Sequence, residues 1–141
     1  MSQEEDHDDA PVPNGELALQ TVAMPSDTNA NGDIFGGWLL SQMDIAGSIS
    51  ARKLARGRVA TVAIDSMAFY TPVQVGAVVS CHTEVLEIGR SSIRINVEVW
   101  KSHYNEDIPV KVTEGQFVFV AIDENGRTRP VPAQEREAIR P

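Results

Sequence analysis

The sequence predicts an α+β domain, with one long central helix wrapped by a curved antiparallel sheet of about five to six strands. Three observations lead there. One helical pattern, from about Gly36 to Arg56, is longer than any other and is apolar on two opposite faces. Runs with strand character precede and follow it, separated by Gly, Pro, Asn and Asp, with no alternation of strand and helix that would signal parallel crossovers. The 141 residues amount to one domain, without internal repeats.

In chain order, residues 1–15 read as a disordered acidic tail, because Glu4, Glu5, Asp6, Asp8 and Asp9, then Pro11, Pro13, Asn14 and Gly15, offer nothing to bury. They explain most of the acidity. The whole chain carries 20 acids against 12 bases, or −8; without those five acids it is 15 against 12, or −3. A domain over residues 16–133 follows, opening with a short strand from Leu17 to Met24. Pro25, Ser26, Asp27, Asn29, Asn31 and Gly32 then make a turn. On a 100° wheel of the long helix, Leu40, Met43, Gly47, Ser50, Ala51 and Leu54 share one face, and Trp38, Ile45 and Ile49 the other. One sheet covers only one of these faces, so self-association is expected. Gly57 is the expected helix cap, with Arg52, Lys53, Arg56 and Arg58 near the negative helix end.

Thr61 to Thr71 reads as a strand stopped by Pro72; its polar and apolar residues are mixed, as in a strand covered on both sides or lining a site. Gly76 opens the next, Ala77 to Ile88. After a tight turn at Gly89-Arg90-Ser91 comes the cleanest alternation: Ile93, Ile95, Val97 and Val99 point one way, and Ser92, Arg94, Asn96, Glu98 and Trp100 the other. A loop from Ser102 to Pro109 leads to the strand Val110 to Ile122 and the turn Asp123 to Gly126. Residues 134–141 read as a C-terminal tail.

Hydrophobic content of 42% with 23% charged residues is ordinary for a soluble globular protein. The absence of a secretory n-region or an apolar run near 18 residues points to a cytoplasmic protein without a membrane partner. No basic stripe argues for nucleic acid. The lone Cys81 reads as a buried structural thiol. His7, His82 and His103 fall in tail, strand and loop, and no Cys/His/Asp spacing suggests a metal.

The stretch from Asp27 to Asp44 carries the chemistry. Gly37 and Asp44 lie seven residues apart, on one side of the helix and about 10 Å apart along its axis. Helical side chains lean toward the N-terminus, which shortens that gap. The first turn presents unpaired N–H groups, and Gly36 and Gly37 allow a ligand close to them. A carboxylate facing such a helix end suits hydrolysis of an acyl group. The same residues also read as a capped helix with a partly solvated acid.

The pattern Asn29-x-x-Gly32-x-x-x-Gly36-Gly37, followed by Asp44, resembles the signature of hotdog-fold acyl-CoA thioesterases, most closely the bacterial YciA-type hydrolases. The likeness extends from about Leu17 to Pro132 and includes Val62 to Met67, Val75-Gly76, Gly89 to Ile93 and Phe117 to Ala121. It implies that Asp44 activates water or attacks the thioester, that the amide of Gly36 or Gly37 holds the oxyanion, and that Asn29 positions the carbonyl or the water from a neighbouring subunit. Some relatives carry a serine or threonine on the second strand. The nearest positions are Thr61 and Ala63, and that role is left unassigned. Coenzyme A is expected at Gly89, Arg90, Ser91 and Ser92, as part of substrate and product; no separate cofactor is expected. Arg127 and Arg129 are weaker phosphate candidates. A dimer or trimer of dimers with shared sites is implied. Hotdog dehydratases are disfavoured for lack of a helix-start histidine; a non-catalytic acyl-CoA-sensing module is the alternative from another class.

Overall fold

The computed structural model describes residues 11–103, 105 and 108–138. Strand β1 (Glu16–Val22) leads through a short 3-10 turn (Pro25–Asp27) to helix α1 (Gly36–Ala55). Strands β2 (Val59–Phe69), β3 (Val78–Ile88), β4 (Ser92–Ser102) and β5 (Val110–Ala121) follow, then a short helix α2 (Ala133–Ala138). The five strands form one antiparallel sheet in the order β1-β3-β4-β5-β2, and α1 packs against all five. The expected α+β arrangement is present, with five strands.

Alternation places the core. Ile93, Ile95, Val97 and Val99 of β4 are fully buried, and Ile93 and Ile95 pair across the ladder with Phe119 and Phe117. Onto them α1 lays Leu39, Met43, Ala46, Gly47, Ala51 and Ala55. Small residues bring the helix axis down onto the sheet. A Cβ at Gly47 would stand 2.7 Å from the Phe119 ring, so a side chain there would lift the helix. The second apolar face expected on the helix is only partly covered: Ile45 is 46% exposed, and Trp38 and Ile49 are half-buried.

Four local expectations are corrected. The left-handed residue ending α1 is Arg56 (φ 57°), not Gly57, and the Arg52 carbonyl accepts from both Arg56 and Gly57 amides. Of the two readings of strand β2, covered on both sides or lining a site, the first is excluded: it is a sheet edge, exposed throughout residues 61–66. A bulge between Asp65 and Ala68, with Ser66 at φ 55°, turns Met67 inward against Gly115. The C-terminal segment expected as a tail forms α2, tied to the end of α1 by an Arg56–Glu135 ion pair of 3.0 Å. Finally, Asn14 and Gly15 are docked rather than part of a tail. Residues 1–10 and 139–141, with Tyr104, Glu106 and Asp107, lie outside the described residues.

The docking of Asn14 has a polar cause on the sheet's outer face. Glu98 of β4 is only 1% exposed. It accepts from the Asn14 backbone amide (3.3 Å), Asn14 Nδ2 (3.0 Å) and Trp100 Nε1 (2.9 Å), with Lys111 Nζ 3.9 Å away. Glu98→Ala removes the acceptor for three donors and leaves Trp100 without its partner in a buried position. A loss of roughly 3 kcal/mol is expected, read from the denaturant midpoint. Glu98→Gln, which keeps one oxygen acceptor, should lose less. An unchanged midpoint in Glu98→Ala would show that water replaces the carboxylate at no cost.

Candidate active site

Asp44 sits in the third turn of α1, half-buried, on the side that overlooks β2. Its Oδ1 accepts a hydrogen bond of 2.6 Å from the Thr61 hydroxyl. Of the two positions considered from sequence, Thr61 is the one bonded to Asp44, and Ala63 is not. The signal was not visible in sequence, because it depends on which residue of the edge strand the helix crosses. One carboxylate oxygen is held by this bond, which fixes the side-chain rotamer and leaves Oδ2 without a protein donor among the described residues.

The start of α1 is open. Phe35 occupies the N-cap without a side-chain cap, and the first turn has no acid. The positive end of the helix dipole is thus not offset by a local carboxylate. At Gly37 a Cβ would approach the exposed Phe35 ring to 3.0 Å, so the ring would have to give by a few tenths of an ångström. At Gly36 a Cβ would meet Phe69 only at 3.6 Å, an ordinary contact. A cavity of about 250 Å³ opens beside this end, lined by Ile34, Gly36, Leu39, Phe69, Tyr70 and Pro72 among others.

Asn29 heads the loop before the helix. Its Oδ1 accepts from the amides of Asn31 (2.9 Å) and Asp33 (3.2 Å). Its own amide donates to the Asp33 carbonyl at 2.7 Å, and its carbonyl accepts from Gly32 at 3.1 Å. These bonds close the loop and fix the orientation of the side-chain amide: Oδ1 is engaged, so Nδ2 is the group offered to solvent. Asn29 is exposed, and no hydrogen bond joins it to Asp44 among the described residues.

At the far end of the sheet, Gly89 donates its amide to the Ser92 carbonyl at 2.8 Å, making the expected turn. The Arg90 carbonyl accepts from Val131 (2.7 Å) and the Ser91 carbonyl from Ala121 (2.9 Å), so the turn is anchored on both sides. Beside it lies a cavity of about 420 Å³ lined by Ile88, Gly89, Arg90, Ala133, Arg136 and Glu137. Arg136 was not anticipated, because nothing in the sequence brings the C-terminal segment to this turn. Arg129 instead donates through Nε to the Ile122 carbonyl at 3.0 Å, and neither it nor Arg127 lines the cavity.

The remaining reactive groups stand apart. Cys81 is fully buried on β3, and burial pushes its thiol pKa up to about 12, so it is not a nucleophile at neutral pH. His82 is also on β3, with β4 and β5 between it and the strand of Thr61. Among the described residues, no group of His, Cys, Asp and Glu has the arrangement of a metal site, and no helix is long and apolar enough to cross a membrane.

Comparison with known proteins identifies the family and the fold. Residues 31–106 match the model of the thioesterase superfamily. The acyl-CoA thioester hydrolase YciA of Salmonella typhimurium is 54% identical over 126 residues, 87% of this chain and 95% of that protein. A hexameric broad-specificity acyl-coenzyme A thioesterase, solved as an aspartate-to-alanine mutant, superimposes with a TM-score of 0.85 at 52% identity, covering 89% of this chain and 95% of its own. The hexameric thioesterase of Yersinia pestis gives 0.83 at 53% identity, over 86% and 99%. The long helix, the antiparallel sheet curved around it and the matched sequence converge: this chain belongs to the thioesterase superfamily and has the hotdog fold.

Proposed function

We propose that the protein hydrolyses the thioester of acyl-CoA to free coenzyme A and a carboxylic acid, with Asp44 as general base or nucleophile. The observation that carries this reading is the 2.6 Å bond from Thr61 to Asp44. It holds a carboxylate in one orientation on the same side of the helix as an uncapped, acid-free N-terminus. In the general-base form, Oδ2 takes a proton from water as the water oxygen bonds to the acyl carbon. The carbonyl electron pair moves to oxygen, where the amides of Gly36 or Gly37 stabilise it. Collapse then breaks the C–S bond, and the electron pair leaves as thiolate. A thiolate needs little protonation to depart, so one carboxylate suffices. Asn29 contributes Nδ2 as a donor to the substrate carbonyl, since its oxygen is engaged in the loop.

The Gly89-Arg90-Ser91-Ser92 turn receives the nucleotide end of coenzyme A. Arg90 and Arg136 line one cavity and supply charge for phosphate. Coenzyme A enters and leaves as substrate and product, so no resident cofactor is required.

Assembly follows from the uncovered surfaces. Ile45 on α1 and Val62 and Ile64 on the edge strand β2 are 46%, 56% and 39% exposed, around the catalytic pair. An exposed apolar edge strand is a template for pairing with another copy. The solved relatives above are hexamers. A hexamer is expected here, with Asn29 and Asp44 of each site drawn from different subunits.

Two measurements test these points. Thiol release from acetyl-, butyryl- and longer acyl-CoAs, followed with a thiol reagent, should show turnover, with no background from the buried Cys81. Binding of acyl-CoA without thiol release would favour the non-catalytic sensing module instead. Light scattering coupled to gel filtration should give about six times the 15.4 kDa chain mass. A monomer at micromolar concentration would rule out shared sites.

A further inference from the structure

The inward series of β4 ends on a charge. Ile93, Ile95, Val97 and Val99 are apolar, and Lys101 continues the same period of two. Its ladder partner on β3 is Val79, a fully buried core residue, and directly opposed residues share a face. A lysine therefore occupies a helix-facing position, where it is only 9% exposed. Burying an ammonium is costly unless it is hydrogen-bonded. The Lys101 Nζ donates to the Pro72 carbonyl at 2.6 Å.

Pro72 belongs to the segment that leaves β2 and passes the start of α1. The amides of Tyr70 and Thr71 donate to the Val112 carbonyl at 2.8 and 3.3 Å, and the Thr71 hydroxyl donates to the Lys111 carbonyl at 3.0 Å. These bonds anchor the first half of the segment on β5. Past them Val73 is 1% exposed, and its carbonyl accepts from the Ile34 amide at 2.9 Å. Ile34 is itself buried and directly precedes Phe35, the N-cap of α1, and Gly36. The Phe35 amide donates to the Asp27 carbonyl at 3.1 Å, so the loop that carries Asn29 is tied to the same point.

Two successive carbonyls, of Pro72 and Val73, are thus held by the end of β4 and by the entry of α1. Pro72 fixes its own φ and keeps Thr71 extended, so the segment has few ways to yield once that carbonyl is held. Pro72 and Val73 also line the cavity of about 250 Å³ together with Ile34 and Gly36. The wall of this cavity and the first turn of α1 therefore rest on one short segment, and the buried ammonium fixes its middle.

We propose that Lys101 is a positioning residue for thioester hydrolysis. Through Pro72, Val73 and Ile34 it sets where the first-turn amides of α1 stand relative to the substrate carbonyl. This rests on the acyl-CoA hydrolase reading. Lys101 touches no reacting atom, and Ser92 of the nucleotide turn lies nine residues away, about 30 Å along β4. Its influence falls on the chemical step and not on nucleotide binding.

The test compares Lys101→Met, which keeps an unbranched stem without a donor, with Lys101→Arg, which restores a cationic donor. Lys101→Met should lower kcat by roughly ten- to a hundredfold, since a misplacement of about 1 Å costs up to 10²-fold. KM for acyl-CoA, and Kd for coenzyme A by equilibrium titration, should match the wild type. Lys101→Arg should recover most of kcat. Hydrogen exchange read by mass spectrometry, which needs no turnover, should be faster in Lys101→Met over residues 31–40 and 70–76 and unchanged at the Gly89 to Ser92 turn. Wild-type kcat in Lys101→Met, whatever its Tm, would overturn the proposal. So would Lys101→Arg no more active than Lys101→Met, or an exchange increase spread evenly over the sheet. If Lys101→Met did not fold, Lys101→Gln, whose amide is one bond short of the ammonium's reach, would be read by the same kcat and exchange criteria. If the wild type hydrolysed no acyl-CoA while exchange rose only at the helix entry and the Pro72 segment, the link from Lys101 to the helix start would stand and the hydrolase reading would fall.

Discussion

Asp44→Asn is expected to lower kcat by about 10²–10⁴-fold, the usual effect of removing a general base. The replacement keeps size and shape. Its amide oxygen still accepts from Thr61, so fold and oligomer mass should match the wild type. KM should change little, because the proposed phosphate contacts come from arginines elsewhere. Thr61→Val should give a smaller fall, since it frees the rotamer of a carboxylate that is still present. Circular dichroism and light scattering on the same samples separate lost chemistry from lost structure. Near-normal turnover in Asp44→Asn would remove the proposed mechanism, whatever the fold.

The second large effect is expected at Asn29, where two substitutions separate two roles. Asn29→Asp keeps an oxygen to accept from the Asn31 and Asp33 amides, so the loop should stay closed. It replaces the Nδ2 donor with a second carboxylate oxygen facing a carbonyl that gains negative charge. Loss of one oxyanion donor costs about 10²–10³-fold in kcat, and the added charge should deepen that. Asn29→Ala loses donor and loop acceptor together, and should lower both activity and stability. If Asn29→Asp retained wild-type kcat, the side chain would be only a loop staple. Mixing Asn29→Ala with Asp44→Asn subunits should restore part of the activity, because a mixed pair contains one site with both residues intact. No recovery would place both residues of a site in one chain.

Directions and periodicities were legible in the chain itself. The alternation of Ile93, Ile95, Val97 and Val99 specified which face of β4 is core, because a strand's side chains alternate with period two. The length of α1, its glycine start and the seven-residue interval from Gly37 to Asp44 were visible for a similar reason: helical geometry is local, and local rules convert spacing into facing. The Gly89 to Ser92 turn was legible as a hairpin link between two strong strand patterns.

Whatever depends on contact between elements distant in sequence was decided only by the tertiary structure. Thr61 is 17 residues from Asp44, and the bond between them follows from where the helix crosses the sheet. Asn14 was read as tail because it stands among acids, prolines and a glycine; its anchor, Glu98, lies 84 residues away. The segment after Val131 was also read as tail, yet it brings Arg136 to the Arg90 turn. Strand β2 reads like any other strand in sequence, but the strand order β1-β3-β4-β5-β2 makes it an edge. The sequence determined the five strands, the long helix and the core face, and it singled out Asp44 as the candidate acid, since each depends on neighbours a few residues away. The Thr61 partner of Asp44, the grouping of Arg136 with Arg90 and the exposed edge depend on long-range packing, which only the folded chain defines.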